Sequence, residues 1–171
     1  SSTVNSYGVE PLLFGLVGNV SEKVDIHLTK EITEHLFQRG NTHGENLAAL
    51  NIQRSRDHGL PGYNTYRKFC KLSNAKTFDD TINEIQDPEN RRILKELYGN
   101  DPNLVELWVA GIAETPSDGG VVGPTLRCIV GEQFRRARDG DRFFYENKGI
   151  CSAPQLQEIK KTSISRVFCD N

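Results

Sequence analysis

Two residues, Asn51 and Arg54, have the types and the spacing that ligand binding requires. They belong to a helical pattern in which Leu47, Asn51, Arg54 and His58 recur at steps of four, three and four, so the amide and the guanidinium point the same way. Both groups need a partner that carries acceptors, and a guanidinium suits a carboxylate because it donates two parallel hydrogen bonds. The partner is either a carbonyl or carboxylate of the protein, such as that of Asp57, or an anionic ligand group.

The element that must position these side chains is a helix with a marked C-terminal end. Gly59 can adopt the left-handed conformation that ends helices, and Pro61 cannot continue the backbone hydrogen bonding. The pattern therefore predicts a helix that begins near Leu47 and ends at Gly59, followed by a rigid turn over residues 59–62.

The sequence of this helix and turn resembles the signature of a known family. Residues 50–64 read Leu-Asn-Ile-Gln-Arg-Ser-Arg-Asp-His-Gly-Leu-Pro-Gly-Tyr-Asn, which is similar to the signature of the animal haem peroxidases. The resemblance covers essentially the whole chain, and it continues through 63–70, 97–99, 107–108, 122–126 with Cys128, 133–136, 138–142, 163–166 and 169–171. Residues 77–80 and 144–147 are most similar to peroxidasin-like members of the family.

The resemblance implies a cofactor, a reaction and a role for each of the two side chains. The family consists of helical haem enzymes that reduce hydrogen peroxide and oxidise a small electron donor, which is a halide, thiocyanate or an aromatic compound. Asn51 matches the asparagine that accepts a hydrogen bond from the outer N–H of the proximal histidine, a bond that bears on the redox potential. Arg54 matches the arginine that lies close to a haem propionate.

The same resemblance implies that the catalytic residues lie upstream of this segment. In the family the proximal histidine, the distal histidine with its arginine, the carboxylates that esterify the haem and the calcium loop all precede the region matched here. We therefore expect no catalytic residue and no metal ligand in residues 1–171, which would form the C-terminal part of the peroxidase domain. We also expect the isolated segment to be inactive and to bind haem weakly. His58 fits a role in the helix end better than one as an iron ligand.

Two other functions stay open at the level of the sequence. A non-catalytic peroxidase-like module of the extracellular matrix or of cell adhesion would have an upstream sequence in which the distal histidine is replaced. A helical interaction domain unrelated to haem would direct Asn51 and Arg54 toward a protein loop, with no pocket beside them. The length of the signature favours the peroxidase.

Composition limits the class of protein. The chain has 171 residues, which fits one domain with a sizeable core. It contains no methionine and begins at Ser1, so we expect a processed chain or a fragment. The net charge of −2, with both signs interspersed, gives no case for nucleic-acid binding, and no apolar run approaches the length of a membrane span.

The cysteines contain no C-x-x-C pair, so zinc-finger spacing is absent and disulfides or free thiols remain. The family resemblance implies a disulfide between Cys70 and Cys128, which lie 58 positions apart. The cysteine that matches Cys169 has its family partner further downstream, and Cys151 departs from the family pattern. A bond between Cys151 and Cys169 is open but geometrically awkward.

One short motif concerns the compartment. Asn19-Val20-Ser21 is a glycosylation acceptor if the chain passes through the secretory pathway. Together with the disulfide pattern, it predicts a secreted, extracellular protein.

The remaining pattern predicts a mainly α fold with few or no strands, because no stretch shows sustained alternation of apolar and polar residues. We expect a helical turn at 11–17, an amphipathic helix from Ser21 to Gly40, and helices at about 64–70, 77–86, 88–99, 102–112, 124–140 and 152–166. Their predicted buried positions include Val24, Leu28, Ile32, Leu36, Leu104, Leu107, Trp108, Ile112, Leu126, Ile129, Val130 and Phe134.

Two segments between or at the ends of these helices have distinct compositions. Residues 114–122 contain two adjacent glycines and a proline, and they predict a mobile loop. Residues 135–142 alternate arginines with aspartates, which favours a salt-bridged helix end over an anion-binding active site.

Overall fold

The computed structural model describes residues 6–40 and 42–169, and it confirms the mainly α fold. The helices are α1 (Glu10–Gly18), α2 (Lys30–Thr33), α3 (Leu47–Asp57), α4 (Tyr63–Phe69), α5 (Pro88–Tyr98), α6 (Leu107–Ala113), α7 (Pro124–Gly140), α8 (Ala153–Lys160) and α9 (Ile164–Cys169). A 3-10 turn at Phe78–Thr81 lies between α4 and α5. Within the described ranges, isolated β-bridges join Leu36 to Glu45 and Gly62 to Glu106.

The chain forms two compact units, residues 1–126 and 127–171. The core of the first unit is a cluster of buried side chains contributed by α4, the 3-10 turn, α5, α6 and the segments between them. These side chains are Tyr63, Phe78, Ile85, Leu94, Val105, Ala110 and Ala113. In the second unit, an ion pair joins α8 to the preceding segment, with Lys160 Nζ 3.1 Å from Glu146 Oε1.

Several predicted helices have the expected bounds because their end signals act over a few residues. At the start of α5, the Asp87 carboxylate accepts a hydrogen bond from the Glu89 backbone N–H at 2.8 Å, and Pro88 occupies the first turn. At its end, Gly99 has a φ of 61°, in the left-handed region. The predicted helices at 64–70 and 124–140 are likewise confirmed as α4 and α7.

The long amphipathic helix predicted over residues 21–40 is wrong, because only Lys30–Thr33 is helical there. Before this turn, the Asp25 carboxylate accepts a hydrogen bond from the His27 backbone N–H at 2.7 Å, and such local bonds compete with helical ones. After it, Leu36 takes part in a β-bridge. Regular spacing of apolar residues produces a stable helix only where tertiary packing supports it.

The helix predicted over residues 77–86 is shorter than expected. Thr77 and Asp80 form a capping box, but the helical segment that follows is the four-residue 3-10 turn Phe78–Thr81. The Thr81 hydroxyl donates to the Phe78 carbonyl at 2.7 Å, and such a bond favours a tight turn over a continued α-helix.

The helix α6 begins later than predicted. The Asp101 carboxylate accepts from the Asn103 backbone N–H at 2.9 Å, which forms a turn instead of a helix start. The Val105 carbonyl accepts from the Tyr63 N–H at 3.0 Å and links this segment to the start of α4. Leu104, which was predicted to point inward, is 63% exposed.

The helix predicted over residues 152–166 is divided into α8 and α9. The Thr162 hydroxyl donates to the Ile159 carbonyl at 2.5 Å, just after the end of α8. The Ser163 hydroxyl accepts from the Arg166 backbone N–H at 3.3 Å, as an N-cap residue does at the start of a helix.

The second unit confirms one prediction for α7 and corrects another. Arg135 Nε lies 2.8 Å from Glu132 Oε2 and its Nη1 lies 3.1 Å from Asp139 Oδ2, so the charged run is a salt-bridged helix end. Val130 and Phe134 were predicted to be buried, but they are 46% and 73% exposed. The helical period alone does not show whether another element covers the apolar side.

Cys70 and Cys128 are both disulfide-bonded, as the predicted pairing requires. Cys151 is a free thiol. The side chain of Cys169 lies outside the described residues, and so does the alternative bond between Cys151 and Cys169.

Replacement of Cys70 or Cys128 by serine should lower the free energy of unfolding by roughly 4 kcal/mol, because the reduced chain regains the entropy of a long open loop. Urea unfolding measures this loss. Cys151→Ser is the matched control, and it should change the free energy of unfolding by no more than about 0.5 kcal/mol. Equal stability of Cys70→Ser and Cys151→Ser would contradict the prediction.

Candidate functional site

Both ends of α3 are fixed by specific hydrogen bonds. At its start, the Asn46 side chain accepts from the Ala49 backbone N–H at 3.0 Å. At its end, Gly59 has a φ of 60°, and its N–H donates to the Arg56 carbonyl at 3.0 Å. The Leu60 N–H donates to the Ser55 carbonyl at 3.0 Å, which completes a Schellman motif. The predicted end of this helix at Gly59 is therefore confirmed.

Asn51 and Arg54 lie one helical turn apart on α3. The Asn51 side chain is half-buried and that of Arg54 is exposed. Neither side chain has a hydrogen-bond or ion-pair partner in the part of the chain that the structure describes. The sequence left a carbonyl or carboxylate of the protein open as their partner, and none of the described residues fills that role. An amide and a guanidinium are thus available on one helix with fixed ends.

His58 is the C-cap residue of α3, and its backbone N–H donates to the Arg54 carbonyl at 2.9 Å. The residue is exposed. Its place in the helix end agrees with the prediction, although the contact is made by the backbone and not by the imidazole ring.

One side of α3 packs in the first unit over a mostly apolar cavity of about 200 Å³. Ala48 and Ile52 of α3 line it together with Trp108 and Ile112 of α6 and Leu97 of α5. This packing fixes the N-terminal and central turns of α3, so the helix is oriented by apolar contacts on one side while Asn51 and Arg54 remain available.

The last turn of α3 has a polar attachment to α5 and α6. Arg56 Nε donates to Glu106 Oε1 at 2.6 Å, and the Tyr98 hydroxyl donates to Glu106 Oε2 at 2.7 Å. The Glu106 side chain is 8% exposed and that of Arg56 is 60% exposed. Both oxygens of the buried carboxylate are therefore occupied, one of them by a charged group.

The environment of this cluster fixes its protonation state. Burial pushes the pKa of Glu106 upward, but the hydrogen bonds from Tyr98 and Arg56 outweigh it and hold the pKa below its ordinary value. Burial, followed by the hydrogen bond to Glu106, raises the pKa of the Tyr98 phenol. At neutral pH, Glu106 is thus a carboxylate and Tyr98 a neutral donor.

A second polar network lies deeper in the first unit. The Tyr63 hydroxyl donates to Glu114 Oε1 at 2.5 Å, and it accepts from Arg67 Nη1 at 3.2 Å. Glu114 also accepts from the Thr125 hydroxyl at 2.5 Å and from the Thr125 backbone N–H at 2.9 Å. Glu84 Oε2 lies 3.0 Å from Arg67 Nη1 and accepts no aligned hydrogen bond from described groups, so this contact is an ion pair.

This network explains why the loop over residues 114–122 has a fixed start. Glu114 is 3% exposed, and Gly123 packs so closely that a Cβ there would overlap the Glu114 side chain. The loop was predicted correctly, but its first residue is an internal anchor and not part of a mobile surface segment.

Sequence reasoning missed these polar clusters. Arg56 and Glu106 are 50 positions apart, and Tyr63 and Glu114 are 51 positions apart. Helical spacing reports neighbours within one or two turns, so no local pattern marks such pairs. The available signal was an acidic residue next to an apolar run, at Glu106 before α6 and at Glu114 after it.

Across residues 6–40 and 42–169, no three His, Cys, Asp or Glu side chains gather as ligands for a metal ion.

Asn19 of the glycosylation motif is exposed at the end of α1, where its Nδ2 donates to the Gly15 carbonyl at 2.8 Å. None of the helices in the described ranges has both the length and the apolar character needed to cross a bilayer.

Comparisons with known proteins agree with this architecture. The family model described as animal haem peroxidase matches residues 1–171. Peroxidasin of Drosophila melanogaster is 49% identical over 166 residues, which cover 95% of this chain and 11% of that protein. The Homo sapiens peroxidasin homolog is 49% identical over 171 residues, which cover 98% and 11%. The structure of peroxidase A from Dictyostelium discoideum superposes with a TM-score of 0.81 at 34% identity, over 98% of this chain and 32% of that one.

The helical fold and these matches define the class of the protein, which is that of the haem peroxidases. Within this class, the chain belongs to the animal haem peroxidase family, and its curated relatives include peroxidasins. The chain spans 11% of the length of each of the two peroxidasins.

Glu114→Ala should lower the free energy of unfolding by about 3 kcal/mol or more, because it leaves the buried donors of Tyr63 and Thr125 without an acceptor. Urea unfolding measures the change. Glu96→Ala is the control, since Glu96 forms an exposed ion pair with Arg92 at 2.9 Å and should contribute about 0.5 kcal/mol. The prediction fails if both variants lose the same small amount.

Proposed function

We propose that this chain is the C-terminal part of a haem peroxidase domain that reduces hydrogen peroxide and oxidises a halide, thiocyanate or aromatic donor. The observation that carries the proposal is the pair Asn51 and Arg54, which lie one turn apart on a helix with fixed ends and lack partners among the described residues. Family membership supplies the cofactor class, since bound haem provides the redox chemistry with peroxide.

The two side chains fit the edge of a haem and an axial histidine. The exposed guanidinium of Arg54 suits a propionate carboxylate, because its planar fork donates two parallel hydrogen bonds. The half-buried amide of Asn51 has an oxygen that suits the outer N–H of the proximal imidazole. In these roles, Arg54 binds the cofactor, and Asn51 orients the imidazole and holds its proton.

The role of this segment is therefore binding and positioning. We assign no catalytic residue to it, because proton transfer with peroxide in this family uses a distal histidine that the matched region does not contain. The calcium loop of the family also precedes this region. We expect catalysis to require the preceding part of the domain, which we propose as the structural partner of this chain.

In the complete haem-loaded protein, Arg54→Ala should lower the reduction potential of the iron, because loss of a nearby positive charge favours the ferric form. Asn51→Ala should raise the potential, because an imidazole without an acceptor for its outer N–H donates less electron density to the iron. Spectroelectrochemical titration measures both shifts.

Gln53→Ala is the control on the same helix, since the Gln53 amide is already bonded to Asp57 at 2.8 Å. It should leave the potential unchanged. Unshifted potentials in Asn51→Ala and Arg54→Ala would contradict the assigned contacts. If the shifts occur but the complete protein does not reduce peroxide, the non-catalytic matrix or adhesion module replaces the enzyme.

We infer an extracellular location for the protein. A disulfide at Cys70 and Cys128 is typical of an oxidising compartment. The exposure of Asn19 makes the acceptor nitrogen of the glycosylation motif accessible once its bond to Gly15 opens.

Expression through the secretory pathway should give a protein that migrates faster after enzymatic removal of N-linked glycans. Asn19→Gln should abolish this shift completely, because Asn19 starts the N-x-S/T motif of the chain. Val20→Ala retains the motif and should keep the shift. A shift that persists in Asn19→Gln, measured on a protein limited to this sequence, would rule out the assignment.

A further inference from the structure

Besides the Schellman bonds at its end, the last turn of α3 has a side-chain attachment to other helices that the proposed cofactor contacts do not use. Arg56 lies on this turn, and its Nε donates to Glu106 Oε1 at 2.6 Å. Glu106 is the N-cap residue of α6, and its other oxygen accepts from the Tyr98 hydroxyl at 2.7 Å. This attachment joins the end of α3 to the start of α6 and to the end of α5.

Arg54 belongs to the same turn as Arg56. The Arg54 carbonyl accepts from the His58 N–H at 2.9 Å, and the Arg56 carbonyl accepts from the Gly59 N–H at 3.0 Å. A displacement of Arg56 therefore moves the backbone that carries the Arg54 side chain. The apolar contacts of α3 at Ala48 and Ile52 lie nearer its N-terminus and do not hold this turn directly.

We propose that Glu106 is a positioning residue for the haem site: by holding Arg56, it fixes the last turn of α3 and thereby the direction of the Arg54 guanidinium. This inference rests on the proposed function, because it takes the propionate as the partner of Arg54. Glu106 itself does not contact the cofactor in this assignment.

The geometry suits this role. Glu106 is 8% exposed, and hydrogen bonds to both of its oxygens restrict its side chain, so it is a rigid acceptor. Arg56 is 60% exposed, so burial does not fix its guanidinium. The contact with Glu106 gives the guanidinium its defined position. The two charges cancel locally, so the attachment orders the turn without adding net charge beside the haem. The lowered pKa of Glu106 keeps the carboxylate ionised at neutral pH.

The test compares two effects with opposite signs in the complete haem-loaded protein. If Glu106 acted only through its electric field, Glu106→Gln would remove a negative charge and raise the reduction potential of the iron. If Glu106 positions Arg54, the same substitution loosens the arginine and lowers the potential as Arg54→Ala does. We expect the second result.

A double-mutant cycle tests whether Glu106 acts on the reduction potential through Arg54. In the Arg54→Ala background, Glu106→Gln should no longer lower the potential, because the residue that it positions is absent. Glu96→Gln removes the same charge from an exposed ion pair on α5 and is the control, with no expected change. Arg56→Met removes the attachment from an exposed side chain, and it should lower the potential more when Arg54 is present than in the Arg54→Ala background.

The outcomes separate the two proposals. A raised potential in folded Glu106→Gln, or a lowering by Glu106→Gln or Arg56→Met that is just as large in the Arg54→Ala background, would overturn the positioning role while the Arg54 contact stands. Absence of any effect of Arg54→Ala itself would overturn both proposals. Thermal unfolding of each variant verifies that the compared proteins are folded.

Discussion

The fully buried guanidinium of Arg67 is the constraint on which the first compact unit depends. Removal of such a charge from water costs several kcal/mol, so it is stable only where acceptors surround it. The Ser73 carbonyl accepts from its Nε at 2.9 Å, the Tyr63 hydroxyl accepts from its Nη1 at 3.2 Å, and Glu84 supplies the counter-charge at 3.0 Å. Because each acceptor lies on a different part of the chain, none of these segments can shift without exposing an unpaired charge.

The influence of Arg67 extends beyond its immediate neighbours. The Tyr63 hydroxyl also donates to Glu114, and Glu114 accepts from Thr125 at the start of α7. Burial, followed by the charge of Glu114, raises the pKa of the Tyr63 phenol, so this link remains a neutral donor over the physiological range. The ends of α6 are thus set by two carboxylates, Glu106 before it and Glu114 after it, and α6 provides the surface on which α3 packs.

The sequence predicted those features whose physical cause is local. Gly59 and Gly99 end helices through their own backbone conformation, and Asp87 caps α5 through a neighbour two positions away. The amide and guanidinium pair on α3 was predicted from spacing, and the cofactor role proposed for it rests on the family signature. The prediction of a helix over residues 21–40 was wrong, because the spacing of apolar residues does not show whether a core is present to cover their side of the helix. Contacts between residues 50 or more positions apart depend on the folded chain, so Arg56, Glu106 and Glu114 had no local signal.

Gly123 sets a limit on how this region can diverge among related proteins. The loop that precedes it is mostly exposed and can change in length or composition without disturbing the network. Position 123 has no such freedom, because any Cβ would occupy the space of the Glu114 side chain. Glycine is therefore required at 123 whichever side chain occupies position 114, because the nearest atom to a Cβ at 123 is the Cβ of residue 114, which every amino acid except glycine carries.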